Sequence, residues 1–353
     1  MNKKLLWGII ISVSVLIITL IGLLSFYYIN LTPVGTGKEK YFKINSGSST
    51  SAILKELKYE SLIKSDLVAK IYMQLNKMDS IQAGDYMLNS NMDTVEILKI
   101  ITHGDIVNDN ITLTFKEGKR LPEYIEIICD TYECNKDEVI KELSDETYLN
   151  ELINNYWFIT DKILNKDIYY PLEGYLYPNT YEFKKDATPK EIITKMLNQL
   201  NKELEPIKND IENNKYSFHE LLTLASIVEL EAANEEDRYN VAGVFYNRLN
   251  DGWTLGSDVT TYYAAKKTFK DNIGPYLDQC NSYNTRSSCL KGLPVGPIAS
   301  PSITSIKASI YPSDNDYYFF VADKTKKVYF SKTSAEQGKV INDLKSRGLW
   351  LES

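Results

Sequence analysis

The sequence predicts an α+β protein behind an N-terminal transmembrane helix, and three observations lead to this fold class. Residues 5–28 contain no charged side chain, and about 20 apolar residues suffice for a helix to cross a bilayer. Residues 41–104 alternate between strand-like and helix-like patterns. Residues 317–333 contain two strand-like runs around a short turn. With 43% hydrophobic and 25% charged residues, the 353-residue chain can bury a sizeable core.

The N-terminal segment is predicted to be an uncleaved membrane anchor. Its apolar run is longer than that of a signal peptide and ends in aromatic residues at 26–28, without a small-residue cleavage site. Lysines flank the run on both sides, so their count does not decide orientation, but the very short preceding segment favours a cytoplasmic N-terminus. We expect a cytoplasmic tail at 1–4, the anchor at 5–28, a linker at 29–40, and every functional residue beyond the linker.

Composition argues against several functional classes. A net charge of −7 provides no basic surface for nucleic acid, so no nucleic-acid partner is expected. The two histidines lie far apart, and the cysteines have no metal-ligand spacing, so neither a metal, a cofactor nor a Ser/His/Asp triad is expected. The cysteines leave two interpretations open: two local disulfides, Cys129–Cys134 and Cys280–Cys289, or four thiols.

The elements between the linker and residue 104 follow from periodicity and capping residues. They are a strand at 41–44, helices at 50–57 and 65–76, a strand after Gly84, and a helix between Asp93 and Gly104. This is a small mixed α/β unit.

The rest of the chain gives the same kinds of signal. A tyrosine-rich segment at 169–183 contains two prolines, which exclude a central strand or a helix interior. The predicted elements are a strand, turn and helix at 113–128, helices at 188–213, from Ser217 to Glu231 and from Asn234 to Gly252, strands at 317–323 and 327–333, and a helix at 334–348.

Glu231 is the residue that points most directly to chemistry. An apolar stripe precedes it on the predicted helix, formed by Leu221, Leu224, Ile227 and Val228. Glu231 extends this stripe, whereas Glu229 lies nearly opposite. Burial raises the pKa of a carboxyl group, which suits a general acid for a glycosidic oxygen. The structural alternative is that Glu231 caps the helix or pairs with Arg238 or Arg248.

Two glycine-containing segments, 252–263 and 291–302, are most simply structural loops. The second contains prolines and lacks the Lys-Ser/Thr pair of a phosphate loop, which argues against nucleotide binding. Alternatively, both loops form the walls of a groove for an extended ligand. Asp258 in the first loop is either a turn-former or a site residue.

Ordered motifs across the chain carry a family resemblance. They read LEGYLYPNTYEF, LASIVELEA, VAGVFYNRL, LGSDVTTYYA, SYNTR, KGLPVGPIASPS, YYFFVAD and VYFSKT. In this order they resemble the MltG/YceG family of endolytic murein transglycosylases, and the N-terminal anchor fits the same family. The match extends from about residue 41 to residue 345.

The resemblance implies a LysM-like subdomain at 41–104 and a YceG-like catalytic module at 105–353. It implies an enzyme on the outer face of the cell membrane that cleaves the β-1,4 bond between N-acetylmuramic acid and N-acetylglucosamine in nascent peptidoglycan. The product would carry a 1,6-anhydro end, and the cell-wall synthesis machinery would be a partner.

The resemblance also assigns residues. Glu231 matches the essential acid, and Glu229 matches a supporting residue. Positions that match the sugar groove are Glu173, Asp258, Tyr283 and Asn284. The chain departs from the family pattern at Val259 and Val295, where the family has proline, which leaves the groove loops less fixed.

Two other functions stay open at this point. One is a membrane-anchored scaffold that binds peptidoglycan without cleaving it. The other is a hydrolase in which a second carboxylate, such as that of Asp258, activates water.

Overall fold

A computed structural model describes residues 3–35, 37, 39–78, 80–104, 110–232 and 234–350. The chain divides into two compact units, Met1–Asp109 and Asn110–Ser353. Helices dominate both units, and each described sheet is a small antiparallel pair. This mixture confirms the predicted α+β class.

The N-terminal unit begins with a long apolar helix, α1 (Lys3–Leu31). The stretch Trp7–Leu31 has a mean hydropathy of 2.8 in its most apolar part, no residue of which is buried, so it is long and apolar enough to cross a membrane. The helix extends beyond the predicted 5–28 segment at both ends.

The α/β part of this unit matches the predicted order of elements. It contains β1 (Glu39–Ile44), α2 (Thr50–Tyr59), α3 (Asp66–Leu75), β2 (Gly84–Asn89) and α4 (Thr94–His103). β1 and β2 form one antiparallel pair, in which Phe42 lies opposite Tyr86. Asp93 forms a capping box with Glu96, and Gly104 ends α4 in the left-handed conformation, as the sequence predicted.

The second unit holds the remaining described elements. These are β3 (Ile111–Thr114), α5 (Leu121–Tyr132), α6 (Lys136–Leu143), α7 (Glu146–Asn155), β4 (Thr180–Phe183), α8 (Pro189–Leu204), α9 (Lys208–Glu212), α10 (Phe218–Glu231), α11 (Glu235–Asn250), α12 (Asp258–Ala264), α13 (Ile303–Ile310), β5 (Phe319–Ala322), β6 (Val328–Ser331) and α14 (Ser334–Ser346). Short 3₁₀ turns occupy Asp161–Leu164, Glu205–Ile207 and Gly274–Tyr276. β3 pairs with β4, and β5 pairs with β6 as predicted.

Several sequence expectations need correction. The segment 252–263 is not all loop, because α12 begins at Asp258. The predicted helix 188–213 is divided at Glu205–Ile207, where Pro206 cannot donate a helical hydrogen bond. The helices α6, α7 and α13 were not predicted. The cysteines form both local disulfides, Cys129–Cys134 and Cys280–Cys289, rather than remaining four thiols.

Helix α10 lies at the centre of the second unit and is buried on every side. Phe218, His219 and every residue from Leu221 to Val228 are buried, so the single apolar stripe expected from the sequence is wrong. Leu221 and Ala225 belong to one hydrophobic cluster, while Leu224 and Ile227 belong to another. α10 therefore joins two cores, and it packs against both α11 and α13.

Candidate active site around Glu231

Glu231 is the last residue of α10 and is partly exposed where the buried helix ends. The Ser257 hydroxyl donates a hydrogen bond to Glu231 Oε1 at 2.5 Å. Ser257 is the N-cap residue of α12, where a serine hydroxyl ordinarily accepts from the helix backbone. Here it makes no such capping bond and is directed to Glu231 instead.

A buried network of hydroxyl groups fixes Ser257. Its backbone N–H donates to Thr285 Oγ1 at 3.1 Å, and its carbonyl accepts from Thr260 Oγ1 at 2.6 Å. The two threonine hydroxyls also contact each other at 2.8 Å. Gly256, at φ +63°, turns the chain so that its N–H donates to the Thr285 carbonyl. The segments 252–263 and 282–286 are therefore bonded together behind Glu231.

The surroundings of Glu231 shift its pKa in both directions. Burial is the largest influence and raises the pKa of Glu231, and the negative charge of Asp258 raises it further. The Ser257 hydrogen bond and the positive charges of Arg248 and Arg286 lower it, but the net pKa shift is upward. The C-terminal position on α10 also disfavours a carboxylate, since the helix dipole is negative there.

Neither arginine that the sequence offered as a salt-bridge partner pairs with Glu231. Arg238 binds Glu229. Arg248 is largely buried and donates from Nε to the Tyr318 carbonyl at 2.8 Å and from Nη1 to the Leu255 carbonyl. Arg286 pairs with Asp258 at 3.2 Å, and the Asp258 side chain is 58% exposed. Within the described ranges, Glu231 forms no ion pair.

Glu229 has a different environment from Glu231. Its side chain is only 6% exposed, and its Oε1 accepts from Arg238 Nη2 at 2.9 Å. Its Oε2 accepts from the Ser302 N–H at 2.9 Å and from the Ser302 and Ser305 hydroxyls at 2.7 Å each. Ser302 is the N-cap of α13, so this carboxylate lies at the positive end of a helix dipole. Glu229 thus binds α10, α11 and α13 together.

Glu173 is buried beneath the site, with 1% of its surface exposed. It accepts from the Leu121 N–H at 2.8 Å and from the Tyr263 hydroxyl at 3.1 Å. Burial outweighs these bonds and raises the pKa of Glu173 to about 8. Tyr283, also fully buried, packs against Tyr263 with ring centroids 4.8 Å apart.

The Asn284 side chain makes several hydrogen bonds within and beyond the loop between Cys280 and Cys289. Its Nδ2 donates to the carbonyls of three residues in the segment 276–279, at 2.8 to 3.0 Å. Its Oδ1 accepts from Thr261 Oγ1 at 2.7 Å. Asn284 is 1% exposed, and it fixes the loop that carries Thr285.

The proline-containing segment 291–302 closes another side of the site. His219 Nε2 donates to the Val295 carbonyl at 2.9 Å, so the neutral ring accepts from the Tyr175 hydroxyl at Nδ1, also at 2.9 Å. Burial lowers the pKa of His219, which favours this neutral form. The Ile298 N–H donates to Ser226 Oγ at 3.0 Å. These contacts hold the segment against α10.

The family model of the YceG-like family matches residues 42–343. The chain belongs to the YceG-like family. It is 37% identical over 313 residues to an endolytic murein transglycosylase of Bacillus subtilis, an alignment that covers 88% of this chain and 86% of the relative. It is 31% identical to an endolytic murein transglycosylase of Streptococcus pneumoniae strain D39 across 89% of this chain, which spans 61% of the pneumococcal protein.

A solved structure supports this assignment. The crystal structure of a YceG-like protein from Listeria monocytogenes matches with a TM-score of 0.62 and 34% identity. The match covers 86% of this chain and all of the Listeria chain.

Sequence reasoning missed several residues of this YceG-like site. Ser257, Arg286 and Thr285 were not predicted as site residues, although Ser257 directly precedes the predicted site residue Asp258. Arg248 was considered only as a salt-bridge partner of Glu231. The motifs that contain Ser257 and Thr285 were noted, but their mutual contact was not foreseeable from spacing. No group of three or more His, Cys, Asp or Glu side chains suited to a metal occurs among the residues that the structure describes.

The Glu229–Arg238 pair leads to a stability prediction for the YceG-like unit. Glu229→Gln keeps the size of the side chain but leaves Arg238, 13% exposed, without its counter-charge. We expect a loss of about 3 kcal/mol in the free energy of unfolding, measured by urea denaturation. The matched control is Asp343→Asn, which removes an exposed partner of Arg347 and should change stability by less than about 0.5 kcal/mol. Equal losses in the two variants would contradict the structural role of Glu229.

Proposed function

We propose that this protein is an endolytic peptidoglycan transglycosylase in which Glu231 is the single catalytic acid and base. The observation that carries the proposal is a carboxyl group at the end of a buried helix, with a raised pKa and a hydrogen bond from Ser257. Two relatives named endolytic murein transglycosylase, which align over most of the chain, support the same activity.

The first step is a proton transfer. Because Ser257 donates to Oε1, the other carboxyl oxygen, Oε2, is the one that carries and donates the proton. Protonated Glu231 donates to the glycosidic oxygen as its bond to C1 of N-acetylmuramic acid breaks, and the leaving sugar departs with a free hydroxyl. Burial favours the protonated form before reaction, and the Ser257 hydroxyl stabilises the carboxylate that forms.

The second step uses the same carboxyl group as a base. The Glu231 carboxylate takes the proton of the muramyl 6-hydroxyl while that oxygen bonds to C1. The product is a 1,6-anhydro sugar, and Glu231 is again protonated. Because the nucleophile belongs to the sugar itself, the reaction consumes no water and needs no second carboxylate.

The environment of Asp258 favours this route over hydrolysis. A general base for water would have to be near the reacting carbon and free to accept a proton. Asp258 is instead bound to Arg286 at 3.2 Å, at the exposed start of α12. We assign it an electrostatic role, since its charge raises the pKa of Glu231.

The other predicted groove residues are proposed to position the site rather than to contact sugar. Glu173, Tyr283 and Asn284 are each no more than 1% exposed. Glu173 supports Tyr263, and Asn284 supports the loop that carries Thr285 and thereby Ser257. Glu229 is proposed to hold the end of α10 in place through Arg238 and α13.

We further propose that α1 anchors the protein in the cell membrane with its N-terminus in the cytoplasm, because the murein substrate lies outside that membrane. Residues 41–104 are proposed as a LysM-like subdomain that binds the same polymer. The antiparallel pair β1–β2 with α2 and α3 between its strands supports this. The cell-wall synthesis machinery is the proposed protein partner.

Orientation is tested by adding protease to intact protoplasts. The proposed topology predicts loss of the chain beyond α1, detected with an antibody to the C-terminal unit. A chain that stays intact until the membrane is permeabilised would contradict it.

The activity is tested with the full chain in detergent and uncrosslinked glycan strands. The wild type should produce 1,6-anhydro ends, identified by mass spectrometry. Glu231→Gln, which cannot donate a proton, should lower the cleavage rate by at least about a hundredfold. Asp258→Asn is the control, and it should retain cleavage and the anhydro product.

Each alternative gives a different result in this assay. Reducing ends in place of anhydro ends, lost in Asp258→Asn, would establish hydrolysis with Asp258 as the base. Binding of strands without cleavage by any form would establish the scaffold function.

The Ser257 hydrogen bond leads to a prediction for pH dependence. The catalytic acid must be protonated, so kcat/KM falls as pH rises through the pKa of Glu231. Ser257 lowers that pKa, so Ser257→Ala should shift the alkaline limb of the profile to higher pH while reducing kcat. Ser257→Thr keeps a hydroxyl and should keep the limb near the wild-type position. An unshifted limb in Ser257→Ala would show that Glu231 is not the titrating group.

A further inference from the structure

A cavity of about 800 Å³ lies beside Leu230, the residue before Glu231. The rings of Tyr169, Tyr263 and Phe269 line it, and Phe269 is 57% exposed. The mechanism proposed above makes no use of this cavity. Its walls come from four segments: the turn before α5 with the first residues of that helix, Tyr169 and Tyr170, the end of α10, and the end of α12 with the residues that follow it.

The cavity carries positive charge that the protein leaves uncompensated. Arg120 lies over the Tyr263 ring at 5.3 Å, and Lys266 lies over the Tyr169 ring at 4.7 Å. Lys270 lines the same cavity and is exposed. None of these three side chains has an acidic partner within 4 Å in the part of the chain that the structure describes. Three such cations around one cavity attract an anionic ligand.

One carboxylate in the cavity is also free of a partner. Two other carboxylates that line the cavity are paired, Glu229 with Arg238 at 2.9 Å and Glu123 with Lys119 at 2.6 Å, and the second oxygen of Glu123 accepts from the Arg120 N–H. Glu117 lines the cavity without an ion pair among the described residues. The charged side chains without an ion-pair partner in the cavity are therefore three cations and one anion, and aromatic rings surround them. This arrangement matches a small ligand with several carboxylates and one ammonium group.

We propose that this cavity binds the peptide branch of the peptidoglycan strand. That branch has free carboxylates for Arg120, Lys266 and Lys270, an amine for Glu117, and alanine methyl groups for the aromatic walls. The inference rests on the proposed function, and it names a second part of the substrate that the enzyme recognises.

Helix α12 links the cavity to the catalytic acid. The helix starts after Ser257, which binds Glu231, and its seven residues rise by about 10 Å to Tyr263 and Lys266 at the cavity. A branch on the sugar next to the cleaved bond can reach that far. The same geometry favours a peptide over a diphosphate, because Glu117 would repel a diphosphate and the aromatic walls would give it no contact.

The cleavage test compares two substrates: strands that bear peptides, and the same strands after an amidase has removed them. Lys266→Gln/Lys270→Gln should raise KM for peptide-bearing strands about three- to tenfold with little change in kcat, since each exposed cation contributes a fraction of a kcal/mol. The same variant should cleave peptide-free strands like the wild type. Lys267→Gln is the matched control, because this neighbouring lysine lies over the Tyr276 ring instead.

A binding measurement separates this proposal from the proposed activity. The probe is the tetrapeptide N-acetyl-L-alanyl-γ-D-glutamyl-meso-diaminopimelyl-D-alanine, which has three free carboxylates and one amine. It is titrated into full-length Glu231→Gln protein, so that no catalysis is needed. Binding that weakens about three- to tenfold in the double lysine variant but not in Lys267→Gln supports the peptide site even if the strands are never cleaved. No peptide binding, binding of pyrophosphate instead, or equal KM changes on both substrates would overturn it.

Discussion

Helix α10 must end at the surface although it is buried on all sides, and the site depends on how its last turn accommodates two carboxyl groups. The Glu229 carboxylate accepts hydrogen bonds from Arg238, from two serine hydroxyls and from a backbone N–H at the N-terminus of α13. The Glu231 carboxyl group accepts one hydrogen bond, from the Ser257 hydroxyl, and lies at the negative end of its own helix. Two glutamates separated by one residue therefore have different surroundings, since Glu229 is bonded to Arg238 and α13 and Glu231 to a single hydroxyl. Glu229 holds three helices together, and Glu231 is the residue that we propose exchanges a proton.

The Ser257 hydroxyl can donate to Glu231 because it makes no capping hydrogen bond to helix α12. A serine at the start of a helix normally satisfies the helix backbone, but Ser257 turns to Glu231 while Thr260 and Thr285 hold its own backbone. The Thr285 N–H donates to Thr260 Oγ1, and the neighbouring Thr261 hydroxyl donates to Asn284 Oδ1, so α12 is bonded to the loop that contains Asn284 and Thr285. Such departures from local preference are typical of functional sites, where the surrounding structure compensates for the lost bond.

Local features of this chain were predictable, and long-range ones were not. Asp93 and Ser217 start helices because their hydroxyl or carboxyl groups reach backbone groups three residues away, which spacing alone reveals. Glu231 was singled out from the sequence by an argument that assumed one buried face, whereas α10 is buried all round and Glu231 is partly exposed at its end. The Ser257 and Arg238 contacts depend on how α11, α12 and α13 pack around α10, and α13 itself was not predicted. Periodicity carries no information about which segments meet.

The disulfide between Cys280 and Cys289 constrains a loop to which we assign no catalytic residue. It closes a loop with a sequence separation of nine residues that contains both Asn284 and Thr285. Closing such a loop restricts the unfolded chain, so less conformational entropy is lost when the segment folds against α12. The proposed proton transfer at Glu231 thus draws on a covalent bond two contacts away, and such bonds form and persist mainly in oxidising compartments. The oxidation state of Cys280 and Cys289 is in this way linked to the position of the Ser257 hydroxyl at Glu231.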